Sequence, residues 1–342
     1  MYLSSVRPAA FFALLSSVAA QHPDDPVQLQ TRAPGFSESP MQPSQAMNYP
    51  QVIYHRDYEQ NAYLSNLVGP MSWLKTLTEF RNRDYRSSHG FEAGKWLLEL
   101  VQNITAPNPA IQVREFEHKF NQSSIIVTIP GKSNKFNVVI GTHYDTPSPT
   151  ANDIEYRFAG ANRDGSGVVT HLEALRVLVA DRFKPKNTIE FHFYAGRHGG
   201  NLGSKAVLSS YAERTGKDHK VVAFLNQKMT GYAPISRIMV CDERGPRTGV
   251  HGELLQYTKN IVQVYNGHEA RGDHECSERA GDYKSAFDYG IPSVHVAGDL
   301  LQPYYQNRIE NPNDRYDDVN WFPVLRHVFF TISFVIEASY YG

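Results

Sequence analysis

The sequence predicts an α/β fold, an open and mostly parallel mixed sheet with helices on both of its faces. Two observations support this prediction. Short runs rich in β-branched and apolar residues alternate along the chain with longer segments of helical periodicity. Polar residues then follow directly after several of these runs, at the position where open sheets of this kind bind their ligands.

The predicted strands are short, apolar and bounded by turn residues. They span residues 124–129, 136–141, 188–194, 221–225, 238–240 and 291–296. The predicted helices carry apolar residues three and four positions apart. They span residues 71–80, 90–101, 165–179, a segment that starts near residue 200, and 322–340. Because the last helix carries Arg326 and Glu337, we expect it to pack against the sheet rather than to span a membrane.

The chain divides into three segments of different character. Residues 1–20 place Arg7 before an uncharged apolar run and end on small residues, which is typical of a secretory signal peptide. Residues 21–68 are rich in Pro, Gln and Ser, which predicts a pro-segment or linker. Residues 69–342 carry the strand and helix alternation and predict a single α/β domain.

Composition and modification motifs favour an extracellular protein. The 34 basic and 35 acidic side chains give a formal net charge of -1, which provides no basis for a nucleic-acid partner. Asn103 and Asn121 each begin a glycosylation motif, in agreement with secretion. Cys241 and Cys276 are candidates for a disulfide in an oxidising compartment, and the sequence alone leaves their pairing open.

Four motifs follow predicted strands or open predicted helices. They are Gly141-Thr142-His143-Tyr144-Asp145, Gly160-Ala161-Asn162-Arg163-Asp164-Gly165-Ser166-Gly167, Phe191-His192-Phe193-Tyr194-Ala195-Gly196 and Met229-Thr230-Gly231-Tyr232. From about Gly69 onward the chain resembles the secreted leucine-aminopeptidase family of co-catalytic zinc exopeptidases, to which glutaminyl cyclases are related. The resemblance implies a zinc-exopeptidase-like domain.

In that family two zinc ions share one bridging Asp, and a Glu acts as general base on the bridging water. The resemblance places the first His ligand on His143 and its orienting carboxylate on Asp145. It places the bridging Asp on Arg163, the general base on Arg197 and the adjacent Glu ligand on His198.

Two further family positions also differ in this chain. The Asp ligand before Met-Thr-Gly-Tyr falls on Lys228, and the late His ligand falls near Asp314, in a segment one residue shorter than the family pattern. Cations at ligand positions repel zinc, and one matching histidine per metal is too few ligands. We therefore expect no metal, and we predict no cofactor.

The cations leave two readings of the site open. Arg163, Arg197 and Lys228 either form a pocket for a small anionic ligand or a peptide, or pair with internal carboxylates. The candidate partners are Asp145, Asp164, Glu278 and Asp314.

The favoured function is a secreted pseudopeptidase that keeps a cationic ligand cleft. The alternatives are a repurposed non-zinc enzyme acting on a small molecule or modified peptide, a residual metallo-aminopeptidase, and a purely structural or interaction protein. His171, on the outer side of the helix after Gly165, is expected to lie at the surface.

Overall fold

A computed structural model describes residues 47–148, 157–213, 220–232, 237–241, 250–268, 271–274, 281–298 and 311–342. The predicted signal peptide, residues 1–20, and the first part of the predicted pro-segment lie outside these residues. All described residues belong to one unit of the chain.

Eight strands of the described chain form one mixed sheet. They are β1 (Gln112–Phe116), β2 (Ser124–Ile129), β3 (Ser133–His143), β4 (Asn187–Tyr194), β5 (Lys220–Lys228), β6 (Ile238–Cys241), β7 (Arg271–His274) and β8 (Ser293–Ala297). Their order across the sheet is β1-β2-β4-β3-β5-β8-β6-β7. The central strands β4, β3, β5 and β8 are parallel, whereas β2 and β6 pair antiparallel with their neighbours β4 and β8. The predicted fold class is confirmed.

The parallel centre brings the carboxyl ends of four strands to the same edge of the sheet. His143 at the end of β3 pairs in register with Tyr194 at the end of β4. On the other side, Lys228 at the end of β5 pairs with Ala297 at the end of β8. Polar residues that are far apart in sequence therefore meet at this edge.

Eight α-helices cover the described sheet. They are α1 (Arg56–Leu64), α2 (Val68–Glu79), α3 (Ser88–Thr105), α4 (Gly167–Ala180), α5 (Leu202–Ala212), α6 (Gly252–Asn266), α7 (Asp282–Asp288) and α8 (Trp321–Ser339). The side chains of β4 alternate between the two faces of the sheet and show which helix covers each face. Phe191 and Phe193 face α4, where their rings contact His171, while Glu190 on the opposite face accepts a 2.6 Å hydrogen bond from Tyr211 of α5.

The helix α4 is buried along almost its whole length, and this overturns the surface placement of His171. His171 has no exposed surface and its Nε2 lies 3.2 Å from Gln227 Oε1. Gln227 in turn contacts His327 and Thr331 of α8. The helix α8 is long and apolar enough to cross a membrane, but 78% of its most apolar window is buried within the fold.

The folded chain begins before the predicted boundary at residue 69. Residues 47–67, assigned from composition to the pro-segment or linker, contain α1 and pack on the main body. Tyr49 donates a 2.7 Å hydrogen bond to the carbonyl of Val222, and Asn61 donates one of 2.9 Å to Asp181. Tyr58 is buried, and its ring lies edge-on to Tyr265 of α6. We call residues 47–67 the N-terminal strap.

Cys241 lies at the end of β6 and is disulfide-bonded. Cys276, the other cysteine of the sequence, lies outside the described residues. Both predicted glycosylation asparagines are exposed, Asn103 on α3 and Asn121 between β1 and β2.

Candidate functional site

The core of the site is the segment that follows β3. The last seven residues of this strand are buried, and the chain continues through Tyr144 to Asp145. His143 and Asp145 are both completely buried. The Nδ1 of His143 lies 3.1 Å from the Asp145 carbonyl oxygen and 3.4 Å from its carboxylate Oδ1.

The loop after β4 binds the same carboxylate from the other side. The backbone amides of Arg197 and His198 donate hydrogen bonds of 2.9 Å to Asp145 Oδ1 and Oδ2, respectively. The Nδ1 of His198 also lies 3.2 Å from Oδ2. Asp145 therefore holds two imidazoles, whose ring centroids are 5.2 Å apart at an interplanar angle of 73°.

These contacts fix the charge of Asp145 and His143. Burial alone would raise the pKa of Asp145, but hydrogen bonds from His143 and His198 outweigh it and hold the pKa well below its usual range. Burial lowers the pKa of His143 to about 3, although Asp145 opposes the change. Asp145 is thus a carboxylate and His143 is a neutral imidazole at physiological pH.

The irregular turn Ala161–Ser166, which leads into α4, carries Arg163. Gly160 enters this turn with φ +55°, where a Cβ atom would lie 2.5 Å from Thr146 Cγ2 and 2.7 Å from the Arg163 carbonyl oxygen. Asp314 caps the turn, because its carboxylate accepts 2.8 Å hydrogen bonds from the backbone amides of Asn162 and Arg163. The Arg163 side chain is buried and contacts Met229 Sδ at 3.4 Å.

Asp164 connects this turn to the ends of β3 and β5. Its carboxylate accepts hydrogen bonds from the Thr142 hydroxyl and from the Met229 amide, the latter of 2.7 Å. Burial raises the pKa of Asp164 above its ordinary value, and these two hydrogen bonds and the charges of Lys228 and Arg163 oppose that rise.

Lys228 ends β5 and is buried, and Asp282 begins α7 close to it. Burial raises the pKa of Asp282, while a hydrogen bond with Ser204 and the charges of Arg197 and Lys228 lower it. Asp282 was not predicted as a site residue. The sequence offers one signal for Asp282, since it is a polar residue that follows a glycine where a helix begins.

Arg83 is a second site residue that was not predicted from the sequence. It is completely buried and donates hydrogen bonds to the carbonyls of Tyr144 and Gly160, of 2.7 and 3.0 Å. It thereby connects the segment of Asp145 to the turn of Arg163. The nearby charges of Asp314, Asp145 and Asp164 oppose the lowering of its pKa by burial.

All seven predicted site residues lie at or beside this edge of the sheet. They are His143, Asp145, Arg163, Arg197, His198, Lys228 and Asp314. Asp314 contacts the backbone of the Arg163 turn, and Arg163 and Lys228 influence the charge of Asp164. Glu278, a predicted partner of the cations, lies outside the described residues. Among the described residues, only His143, Asp145 and His198 bring three potential metal-ligand atoms within 4.8 Å of one another.

Comparisons with known proteins agree with this architecture. Leucine aminopeptidase 1 of Sclerotinia sclerotiorum is 37% identical over 286 residues, which cover 78% of this chain and 70% of that protein. Leucine aminopeptidase 1 of Leptosphaeria maculans is 37% identical over 281 residues, 78% of this chain and 69% of that protein.

Solved structures share the fold at lower sequence identity. The LapA aminopeptidase of Legionella pneumophila superimposes with a TM-score of 0.76 at 21% identity, covering 87% of this chain and 79% of that one. A glutaminyl cyclase of Porphyromonas gingivalis superimposes with a TM-score of 0.59 at 15% identity, covering 80% and 98%.

The mixed sheet with a polar site at the ends of its parallel strands defines an α/β protein of the zinc-exopeptidase class. The sequence profile of peptidase family M28 matches residues 124–335. Together with the 37% identity to the fungal leucine aminopeptidases, this match shows that the chain belongs to peptidase family M28.

Proposed function

We propose that the protein is a secreted pseudopeptidase of this family, which retains a ligand site but does not catalyse zinc-dependent hydrolysis. The observation that supports the proposal is the charge balance of the described site. The site holds four carboxylates and four cationic side chains, and seven of the eight are buried. They are Asp145, Asp164, Asp282 and Asp314, and Arg83, Arg163, Arg197 and Lys228.

Each of these cations acts electrostatically on at least one of the carboxylates. With all four carboxylates ionised, the two sets of charges cancel without a metal, and protonation of Asp164, whose pKa burial raises to about 7, gives the described part of the site a net positive charge. A zinc-bearing site reaches the same balance by a different route, since its carboxylates are neutralised by the dications themselves.

The same charges disfavour metal binding. A dication about 4 Å from one fixed cation is repelled by roughly 8 kcal/mol at an effective dielectric constant near 20. Zinc usually has four ligands, or three and a water. Both Asp145 oxygens already accept the amide hydrogen bonds of Arg197 and His198, which leaves the ring nitrogens of His143 and His198 as two ligands, fewer than the three that a catalytic zinc site uses.

The proposed ligand is a small anion or a peptide. Of the four cations, Arg197 is only partly buried, and it lies on the loop between β4 and α5. Arg197 is thus the one of these four cations that has appreciable exposed surface, and guanidinium groups bind carboxylates in a bidentate manner. Secretion is proposed from the charged, apolar and small-residue order of residues 1–20 and from exposed Asn103 and Asn121.

Metal analysis tests the proposal directly. The secreted full-length protein is equilibrated with trace zinc, dialysed, and compared by elemental analysis with a fungal leucine aminopeptidase treated identically. We expect well below one zinc per chain and no chelator-sensitive release of leucine from a chromogenic leucine amide. Stoichiometric zinc together with such activity would instead establish the residual metallo-aminopeptidase and overturn the proposal.

A second candidate is a metal-free enzyme that acts on a small molecule or modified peptide. The contact of His143 with Asp145 favours it, because an imidazole held by a carboxylate is a common general base. The expected signature is turnover that resists chelator and is lost in His143→Asn. Turnover that the variant retains would contradict this candidate.

A further inference from the structure

The Nε2 atoms of His143 and His198 are buried ring nitrogens without a hydrogen-bond partner among the described residues. His143 has no exposed surface, and the side chain of His198 is 10% exposed. The opposite nitrogen of each ring, Nδ1, lies against Asp145. The Asp145 carboxylate thus orients both rings and leaves Nε2 of each ring without a hydrogen-bond partner among the described residues.

The contacts of Nδ1 determine what Nε2 can do. The Asp145 carbonyl and its ionised carboxylate only accept hydrogen bonds, so a neutral ring at either position carries its proton on Nδ1 and its lone pair on Nε2. The two Nε2 atoms, on rings whose centroids are 5.2 Å apart, face no hydrogen-bond partner of the described chain.

A third unpaired polar atom belongs to Asp282. Asp282 is buried, and its Oδ1 also lacks a hydrogen-bond partner among the described residues. Asp282 is close enough to Asp145 and Arg197 for their charges to change its pKa. Buried polar atoms in native proteins are almost always paired, because an unpaired one is costly. Three unpaired polar atoms around one site therefore indicate a polar partner that comes from outside the chain.

We propose that His143 and His198 are the ligand-contacting residues of the site and accept hydrogen bonds from O–H or N–H groups of a small carboxylic acid whose carboxylate binds Arg197. The ligand class is a short hydroxy acid or amino acid, including the terminal residue of a peptide. The inference rests on the proposed function, since it requires that a ligand rather than zinc occupies the site. The proposed function assigns a small anion or a peptide to the site, and this inference adds that the ligand also carries a hydrogen-bond donor.

Three matched probes test the donor contact. Acetate, glycolate and glycine share a carboxylate and differ in carrying hydrogen, hydroxyl or ammonium on the neighbouring carbon. Their affinities for the full-length secreted protein are measured by calorimetry and by thermal shift. We expect glycolate or glycine to bind about fivefold more tightly than acetate, which corresponds to one additional hydrogen bond. The tighter binder of glycolate and glycine shows whether the donor is a hydroxyl or an ammonium.

Two variants assign the effect to the imidazoles. His143→Asn and His198→Asn keep an amide donor near the position of Nδ1 for Asp145 and remove the Nε2 acceptor. In both variants we expect glycolate and glycine to bind no more tightly than acetate. His171→Asn is the control, since His171 is equally buried but lies between α4 and the sheet, and it should keep the advantage. If His143→Asn does not fold, His198→Asn at the less buried position provides the same comparison.

Equal affinity of the wild type for all three probes would overturn the donor contact. An advantage that survives in both asparagine variants would overturn the role of the imidazoles. Stoichiometric zinc would refute the proposed function and this inference together, whereas a zinc-free protein without preference among the probes would refute this inference alone.

Discussion

The carboxylate of Asp314 accepts a 2.8 Å hydrogen bond from the backbone amide of Arg163. It also accepts hydrogen bonds of 2.8 Å from the Asn162 amide and the Tyr232 hydroxyl. Asp314, which the family resemblance places near a metal-ligand position, therefore supports the turn that carries a cation. This relationship makes the late segment of the chain part of the structure of the site.

We predict that Asp314→Ala lowers the free energy of unfolding by about 2 to 4 kcal/mol, because buried amide groups lose their acceptor. Denaturant unfolding measures the change. The matched control is Asp317→Ala, an exposed position three residues away, which should change stability by less than about 0.5 kcal/mol. A similar loss in both variants would show that the cap does not stabilise the turn.

The fold should be independent of metal. The core consists of the sheet and its covering helices, and the described site carries its own countercharges. We predict that an excess of chelator leaves the melting temperature unchanged within experimental error, as recorded by calorimetry. The zinc-loaded fungal aminopeptidase, measured in parallel, should lose stability. A clear drop in this protein would indicate a metal site that the described residues do not show.

Glu337 should make stability fall as pH rises. Burial raises the pKa of Glu337 to about 7, although it accepts a 2.5 Å hydrogen bond from Tyr265 and the Ile53 backbone also binds it. His55 lies 3.7 Å away. A folded-state pKa above the unfolded value of about 4.3 gives stability that is complete below pH 4.3 and lost as pH rises through 7.

The comparison of wild type with Glu337→Gln tests this effect. Between about pH 5 and 7 the wild type should lose stability relative to the variant, by at most about 1.4 kcal/mol per pH unit, the slope for one proton. Denaturant unfolding at stepped pH provides the data. Glu59→Gln, exposed on α1, is the control and should follow the wild type. Parallel curves for wild type and Glu337→Gln would refute the prediction.

The N-terminal strap should be retained in the mature protein. Residues 47–67 bury Tyr58 and Asn61, and the carbonyl of Leu64 accepts a 2.7 Å hydrogen bond from Arg176. We predict that the secreted chain starts upstream of residue 47, at Gln21 if only the signal peptide is removed. A chain that starts at Met47 should fold normally, whereas one that starts at Gly69 should be strongly destabilised. A mature N-terminus near Gly69 would contradict this.

Glycosylation should occur at both exposed sequons. Asn103 and Asn121 have solvent-exposed side chains in the folded protein. We predict that enzymatic removal of N-glycans lowers the mass of the secreted protein, and that Asn103→Gln and Asn121→Gln each remove one glycan. An unchanged mass would argue against passage through the secretory pathway.

The regular part of the fold was largely predictable from the sequence. The predicted strand 124–129 matches β2, and the predicted helix 322–340 is within one residue of α8, because local periodicity and burial agree in both. The strap helix α1 was missed because its many polar residues resemble a linker, whereas a few aromatic contacts hold it in place. His171 was misplaced because helical periodicity assumes one exposed face, and α4 is covered on all sides.

The candidate site was predictable where family motifs identify it, and less so where contacts cross the chain. The motif around His143 and Asp145 indicated their proximity to each other, and the strand ends indicated Lys228. The role of Asp282 as a countercharge depends on α7 starting beside β5, which no local pattern encodes. Arg83 was similarly missed because it acts through backbone carbonyls that lie more than sixty residues away in sequence.

The paired charges of the site also determine how single substitutions act on it. An Arg163→Asp substitution would remove one cation and add one anion, which leaves carboxylates facing one another in a dry interior. A carboxylate placed alone at position 163 or 228, both of which are buried, would therefore destabilise the fold unless a countercharge accompanied it. A change in what this site binds is thus expected to need several concerted substitutions rather than one.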